Sequence, residues 1–565
     1  MWKQRKCYKS IEEYVIDNTG QSIEEYNMMP ECPIENIAEG VKLLHEHVGK
    51  PVYVLADYDV DGVTSGFGMY LGCKCAGLIP HIRFPKRFSE GYGFSDKILE
   101  EILEKTEPQL IILVDNGIVA YKQIKRMKEA GYTVLVVDHH VAKAGYPDAD
   151  VVIDQSDGIK DESVYGYTPY CAAGLTLRFF EKYNEMYGGL DEISHNTMKV
   201  TAGIATVADV VPMKNGNRKI VKEALEIMNN IADYELITGV KTLITQLGIE
   251  HFTTTTIGFN IAPMLNAPGR LEDAGALISA TMLASKNIGI ANSYFKKVLD
   301  YNELRKDKSR DQVGIAEDIL IKRGDVVGDK CTCKFIVVAS EKFDKGICGI
   351  IAGKLCEKYQ RPAIVMNVHD GIAHGSARST DNINLVNTLK EIEELFLGFG
   401  GHAKAAGMSS ELAKVEIIRE RLNEMPLDIS DDNDIFYDFE VEEADFSHFI
   451  EEAEKYAPYG EGNPIPTVYV KNYVLYPDGG LYVRYMGKES IHVKLFGADS
   501  NALCFGMSEE YLKKGEPKNV SLIGNLSNNY FNGSITPQIE VKVFEPIENK
   551  NNAFADELSS LLMAL

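Results

Sequence analysis

The sequence predicts an α/β protein: a parallel-sheet domain, a connecting helix, a second α/β domain and a C-terminal β-barrel. Three observations carry this expectation. From about residue 51 short apolar runs alternate with amphipathic stretches, the pattern of a parallel sheet covered by helices. The same pattern resumes near residue 333, after a mostly helical region at about 190–310. Residues 463–545 then hold short alternating runs separated by Gly, Asn and Asp turns, as in a small barrel. A chain of 565 residues exceeds what one hydrophobic core usually serves, so several domains are expected.

Taken in order, residues 1–48 read as an N-terminal extension and 49–230 as the first α/β domain. Its strands are VYVLA (52–56), HIRF (81–84), LIILV (110–114) and VLVVD (134–138), with a surface helix from Ala120 to Ala130 stopped by Gly131. Residues 231–325 form a helical region whose last part, 274–312, is long and increasingly charged and suits a helix connecting two lobes. The second α/β domain, 326–426, runs from CKFIVVAS (333–340) to GGHAKAAGM (400–408). Acidic LDISDDNDIFYDFE (427–440) marks a boundary. The barrel domain, 427–548, takes its strands from TVYVKNYVLY, GLYVRY, IHVKLFG, NVSLIGNL and PQIEVKVF. The tail, 549–565, ends in ADELSSLLMAL, a short amphipathic stretch that reads as a packing or frayed helix rather than a partner motif.

With 45% hydrophobic and 25% charged residues the composition is that of an ordinary globular chain. The start, MWKQRKCYKSIEEY, has no apolar run behind its basic residues, and there is no continuous apolar stretch of about 18 residues, so a cytoplasmic protein without a membrane segment is expected. The ten cysteines are scattered; the tight pairs Cys73/Cys75 and Cys331/Cys333 are C-x-C rather than the C-x-x-C of common zinc sites, and all read as reduced thiols. A formal charge of −24 argues against a basic coat for nucleic acid and confines any polyanion contact to a local patch. Clustered carboxylates also hold divalent cations.

The chemistry concentrates at the ends of three apolar runs. VYVLA leads into Asp57, Asp59 and Asp61 (DYDVDG), which in an extended segment would project to one side. LIILV ends in Asp115-Asn116-Gly117, and VLVV in Asp138-His139-His140. One such cluster alone would read as turn and cap residues. Three in succession, at the carboxyl ends of strands where open parallel sheets bind ligands, read as one site. Aspartate oxygens mixed with imidazole nitrogens and no thiolate suit Mn²⁺ first and Mg²⁺ second, and two ions at about 3.5–4 Å would offset the mutual repulsion of the acids.

DYDVDG, VDNGI, VDHH and TVADVVPMKNGNR (206–218) resemble the four ordered motifs of the DHH phosphoesterase superfamily, named for the triplet at 138–140. The resemblance implies Asp57, Asp59, Asp61, Asp115, His139 and Asp209 as metal ligands, with Asp57 in a position that varies between branches, His140 near the scissile phosphate and Asp138 in the catalytic set. Further along, RFSEGYGFS (87–95), NIAPMLNAPGRLEDA (260–274), GICGIIAGKL (346–355), GSARS (375–379), FGGHAKAAGM (399–408) and APYGEGNPIPTVYV (457–470) are similar, in order, to the RecJ-like branch, over about residues 50–545. In that branch the second α/β domain is a DHHA1-like domain and the barrel an oligonucleotide-binding (OB) fold. One departure is Lys345, where such proteins often carry His.

The branch implies a metal-dependent exonuclease that degrades single-stranded DNA from its 5′ end to 5′-mononucleotides, with a helicase or a single-strand-binding protein as candidate partners. Ser376 and Arg378 in GSARS, with Arg87, are the candidates for a DNA phosphate near the 5′ end; Gly401 and His402 offer a permissive backbone and an imidazole beside the metals; Asn266, Arg270 and Arg305 are further phosphate contacts. Two competitors remain: a DHH enzyme for short oligonucleotides or cyclic dinucleotides, which generally lacks the barrel, and a non-catalytic replication scaffold, which loses metal ligands.

Overall fold

Strand β1 (Pro51–Ala56) and its neighbours β2 (Ile79–Arg83), β3 (Leu110–Val114), β4 (Thr133–Val137) and β5 (Val151–Ile153) make a parallel sheet in the order β2-β1-β3-β4-β5. The computed structural model describes residues 2–142, 144–155, 168–328, 330–429 and 434–547; the expected tail helix lies outside them. β3 and β4 are apolar on both faces because helices cover both. α1 (Val60–Cys75), α4 (Ala172–Tyr187) and α5 (Glu192–Ala208) share one core with the sheet, and α2 (Asp96–Lys105) and α3 (Tyr121–Glu129) the other. The strand order reverses between β1 and β3, which opens a crevice at their carboxyl ends. β5 goes beyond the expected strands: three residues are too short a run to stand out.

α6 (Ala262–Leu271) leads through a further short helix to α7 (Ile288–Arg323), a 36-residue helix about 54 Å long at 1.5 Å per residue. It begins later and ends later than 274–312. Asn287 caps its start, its side chain accepting from the Ile290 N–H at 3.1 Å, and Gly324 at φ +79° ends it. α7 carries the second sheet: Lys308 and Gln312 donate to Asp344 Oδ2 at 2.8 and 2.6 Å. That sheet comprises β6 (Ile336–Ser340), β7 (Ala363–His369), β8 (Ile372–Arg378), β9 (Gly398–Gly401) and β10 (Ala405–Glu411), ordered β9-β10-β8-β7-β6 and parallel only between β6 and β7. Helix α8 (Cys348–Tyr359) packs on it.

The C-terminal domain is a seven-stranded OB-type sheet, ordered β11-β12-β16-β17-β15-β14-β13, with β11 Phe439–Glu440, β12 Thr467–Val474, β13 Val483–Met486, β14 His492–Phe496, β15 Asn501–Cys504, β16 Asn519–Phe531 and β17 Ser534–Pro546. The first residues of the chain pack here. Trp2–Gln4 pairs in parallel with Ile435–Tyr437, inside the stretch read as a boundary, and Tyr8, Tyr14 and Tyr26 join Phe439 and Phe449 in one apolar cluster. The clasp to the first domain is Arg218: its guanidinium lies 3.8 Å from the Tyr26 ring centre and donates to the Tyr26 and Ala457 carbonyls at 3.0 Å. All ten cysteines are free. Among the described residues no helix is long and apolar enough to cross a membrane.

Candidate metal centre and phosphate cleft

β1 stops at Ala56, and Asp59 becomes the N-cap of α1, its Oδ1 accepting from the Gly62 N–H at 3.0 Å. Gly62 has no alternative, since a Cβ there would lie 2.4 Å from the Asp57 carbonyl. The helix therefore begins within DYDVDG, and the extended arrangement expected for the three acids does not form. Asp61 falls in the first turn, and its carboxylate accepts from the Ala172 and Ala173 N–H groups at 2.7 and 2.8 Å, at the N-terminus of α4. The acids are thus divided: Asp57 and Asp59 gather with Asp115, and Asp61 with His139 and Asp209.

Asp115 follows β3 in a left-handed conformation (φ +58°), uncommon for a residue with a Cβ, and its N–H is tied to the Val137 carbonyl at 3.0 Å. His139 Nε2 stands 3.2 Å from Asp115 Oδ1 and 3.5 Å from Asp61 Oδ2, while its Nδ1 is 3.8 Å from Asp209 Oδ2. Asp209 is delivered from the other side as the residue that ends α5. Asp138 differs from the rest. Its carboxylate accepts from the Ile118 N–H (3.0 Å), the His139 N–H (2.8 Å) and His140 Nδ1 (2.8 Å), so it orients rather than ligates. Burial alone would raise its pKa, but the His140 contact and these donors hold it below the usual carboxylate range. Burial works against a charged His140, and Asp138 overrides it, raising the imidazole to about 9. His140 can join a metal-capable group with Asp115 and His139, but with Nδ1 engaged and the ring cationic it suits a phosphate oxygen better than an ion.

The remaining acids have fewer donors than Asp138. Burial, then neighbouring aspartates, pushes Asp57 and Asp115 well above the carboxylate range; burial also raises Asp61, and it raises Asp209 to about 8. Asp57 Oδ1 is buried with no hydrogen-bond partner. Such a set fits divalent cations: oxygen and imidazole donors without thiolate, in adjacent groups that share Asp115 and His139, matching hard or borderline ions such as Mn²⁺ and Mg²⁺.

Beside the acids lies a patch of opposite sign. Arg87 stacks on Tyr58, between Asp57 and Asp59, with its carbon centre 4.7 Å from the ring centre. Arg270, at the end of α6, donates to the Gly346 carbonyl at 3.4 Å, and Gly346 fits so closely that a Cβ would meet the Arg270 carbonyl at 2.0 Å. Burial, followed by the charges of Arg87, Arg305 and Arg378, depresses Arg270 to about 9, so the structure gathers all four arginines. Ser376 and Arg378 on β8 face Gly349 of α8, where a Cβ would lie 3.2 Å from Arg378 Nη2 and 3.6 Å from Ser376 Oγ. Arg305 is held by Asn302 Oδ1 at 2.9 Å. Asn266, one turn before Arg270, is half-buried on the same helix face. Gly401 adopts φ +155°, with the Ala405 carbonyl 2.3 Å from where a Cβ would be. His402 is exposed at the β9–β10 turn and belongs to none of the metal-capable groups.

The RFSEGYGFS segment supplies one more site residue, Tyr92, that its residue type alone does not single out. Its hydroxyl lies 3.1 Å from His140 Nε2 and 3.3 Å from the Asp115 carbonyl, and the glycines on either side (φ +82° and +69°) are what let the loop bring it there. The Gly-Tyr-Gly triplet was the available signal.

A parallel α/β lobe with this acid and imidazole set at its switch point defines a DHH-type phosphoesterase fold, and the DHH family N-terminal domain matches residues 51–208. The DHHA1 domain matches 332–425 and the RecJ OB domain 437–543. Domain by domain, the chain resembles the RecJ-like branch of the DHH superfamily. It is 31% identical over 507 residues to the single-stranded-DNA-specific exonuclease RecJ of Bacillus subtilis, covering 87% of this chain but 61% of that protein. To the Haemophilus influenzae protein of the same name it is 26% identical over 558 residues, 92% of each chain. The crystal structure of RecJ in complex with Mn²⁺ from Thermus thermophilus shares the fold, with a TM-score of 0.75 and 23% identity over 95% of this chain and 76% of that one.

Proposed function

We propose that the chain is a metal-dependent exonuclease that hydrolyses single-stranded DNA from the 5′ end to 5′-mononucleotides, in DNA recombination and repair in the cytoplasm. The observation that carries the reading is the nearness of two oppositely charged clusters: Arg87 lies over Tyr58, which stands between two candidate metal ligands, and its charge acts on both Asp57 and Arg270, the latter shared with Arg305 and Arg378. Metal-held and arginine-held phosphates would be adjacent ones on a single strand. Bound to Asp57, Asp59, Asp61, Asp115, His139 and Asp209, two Mn²⁺ or Mg²⁺ ions would polarise the scissile phosphate and favour in-line attack by water. Cationic His140, oriented by Asp138, supplies a proton donor beside that phosphate. Arg378, Ser376 and Arg270 grip the terminal phosphate and set the 5′ polarity. The OB-type domain supports a single-strand rather than a duplex substrate. A helicase and a single-strand-binding protein are the partner classes that would feed such an enzyme.

The test is degradation of an oligonucleotide labelled separately at each end, single- and double-stranded, with Mn²⁺. Stepwise loss from the 5′ end of the single strand alone, abolished by Asp115→Ala, is expected. Shortening from the 3′ end, or activity confined to dinucleotides, overturns the assignment.

A further inference from the structure

Two exposed apolar side chains beside the metal centre have no role in this chemistry. Val210 directly follows Asp209, is 63% exposed, and sits at φ +57°, a left-handed conformation costly for a β-branched residue. Phe259, 79% exposed, belongs to the π-helical turn Ile257–Ile261 that opens into α6, a rare element that recurs at functional sites. Both line a cavity of about 370 Å³ between the metal lobe and the OB-type domain, together with Val207 and Met213 on one side and Ile465 on the other. Lys542 of β17 also reaches it, with Nζ donating to Thr467 Oγ1 at 3.0 Å.

We infer that this cavity receives one unstacked nucleobase of the single strand, on the 3′ side of the scissile phosphate. The inference rests on the exonuclease reading and adds where the strand goes after the metals. The cavity presents apolar side chains from two domains, with Lys542 and Glu461 at its polar margin, which suits a flat ring and discriminates little between bases. Its place is continuous with the site: Val210 is chain neighbour to Asp209, and Phe259 precedes the helix whose last turn carries Arg270. Eleven residues of helix separate Phe259 from Arg270, about 16 Å at 1.5 Å per residue. At a stacked spacing of about 3.4 Å per nucleotide that is at most about five nucleotides, so a strand anchored by its 5′ phosphate reaches the cavity within its first few bases.

The experiment uses the full chain and 5′-phosphorylated single strands of one length, each with one abasic nucleotide at successive positions from the 5′ end. Affinity is read by fluorescence anisotropy with chelator present, and degradation is read separately with Mn²⁺. One position is expected to lose about tenfold in affinity on removal of its base, the low to middle range of a base–aromatic stack. Phe259→Ala should weaken the intact strand by a similar factor and erase that dip, whereas Phe259→Tyr keeps it. Phe259 is largely solvent-facing, so its truncation spares the core. A flat panel, or a dip unchanged by Phe259→Ala, overturns the inference even if the strand is degraded. A dip that Phe259→Ala erases, on a strand that Mn²⁺ leaves intact, upholds it and overturns the exonuclease reading instead.

Discussion

In the metal half of the cleft, buried Asp57 and Asp115 gather with Asp59, and buried Asp61 gathers with His139 and Asp209; in the phosphate half, the charges of Arg87, Arg305 and Arg378 bear on Arg270. Each half is unfavourable by itself, and the pKa directions say so with opposite sign: the acids are pushed up and Arg270 down. Asp138 and Asp273 show what ordinary acids here look like, saturated by backbone and side-chain donors and held below the usual range. The difference teaches that stability in this cleft has been given up for ligands of complementary charge, cations on one side and phosphates on the other.

The largest effect expected from breaking the metal half comes from Asp209→Asn. It removes one proposed ligand without touching the core, so Mn²⁺-dependent cleavage should fall about 100-fold or more, at or beyond the roughly 10- to 100-fold typical of losing a mere outer-shell partner. The Tm of the metal-free chain should hold or rise, because folding no longer requires a proton to be taken up at this position. A drop in metal-free Tm of the same size as for a buried core substitution would mean that the acids stabilise the lobe and that the comparison is wrong.

Breaking the phosphate half should cost less and be selective. Arg378→Ala removes the proposed charge-assisted phosphate contact, worth about 1.5–3 kcal/mol, so kcat/KM for a 5′-phosphorylated strand should fall about 10- to 100-fold. A strand with a 5′ hydroxyl should lose only a few-fold in the same assay. Equal losses on both would place Arg378 on an internal phosphate rather than the terminal one.

The two halves were not equally legible. DYDVDG, DNG and DHH stand at the ends of apolar runs, and the reversal of strand order between β1 and β3 brings them together as the fold class requires. GSARS and Arg270 could be singled out by type, but their meeting depends on α7 carrying the second lobe back over the first. What holds the acids was not legible at all: the Ala172, Ala173 and Ile118 N–H groups belong to backbone that any sequence provides. The splitting of Asp57 and Asp61 followed from the exact start of α1, set by the Asp59 cap. Trp2–Gln4 and β15 were missed for a related reason, since runs this short become strands only through partners far along the chain.

The smallest effect, a few degrees in Tm, sharpens the comparison through pH. Asp57, Asp61, Asp115 and Asp209 have folded pKa values above the unfolded value of about 3.9, so without cation the folded chain holds protons that the unfolded chain releases. Metal-free stability should therefore decline as pH rises from about 4 toward 8, the value to which Asp209 is raised. His140, raised to about 9, contributes in the same direction, its share lost as pH climbs through that value. Asp138, held low, contributes stability that is lost only in acid. Cations bind the deprotonated acids, so the Tm gained on adding Mg²⁺ or Mn²⁺ should be larger at pH 8 than at pH 5. Thermal melts with and without chelator at the two pH values measure it. A gain that is independent of pH would mean that the acids are already ionised and compensated by protein groups, and the two halves of the cleft would then differ in kind rather than only in sign.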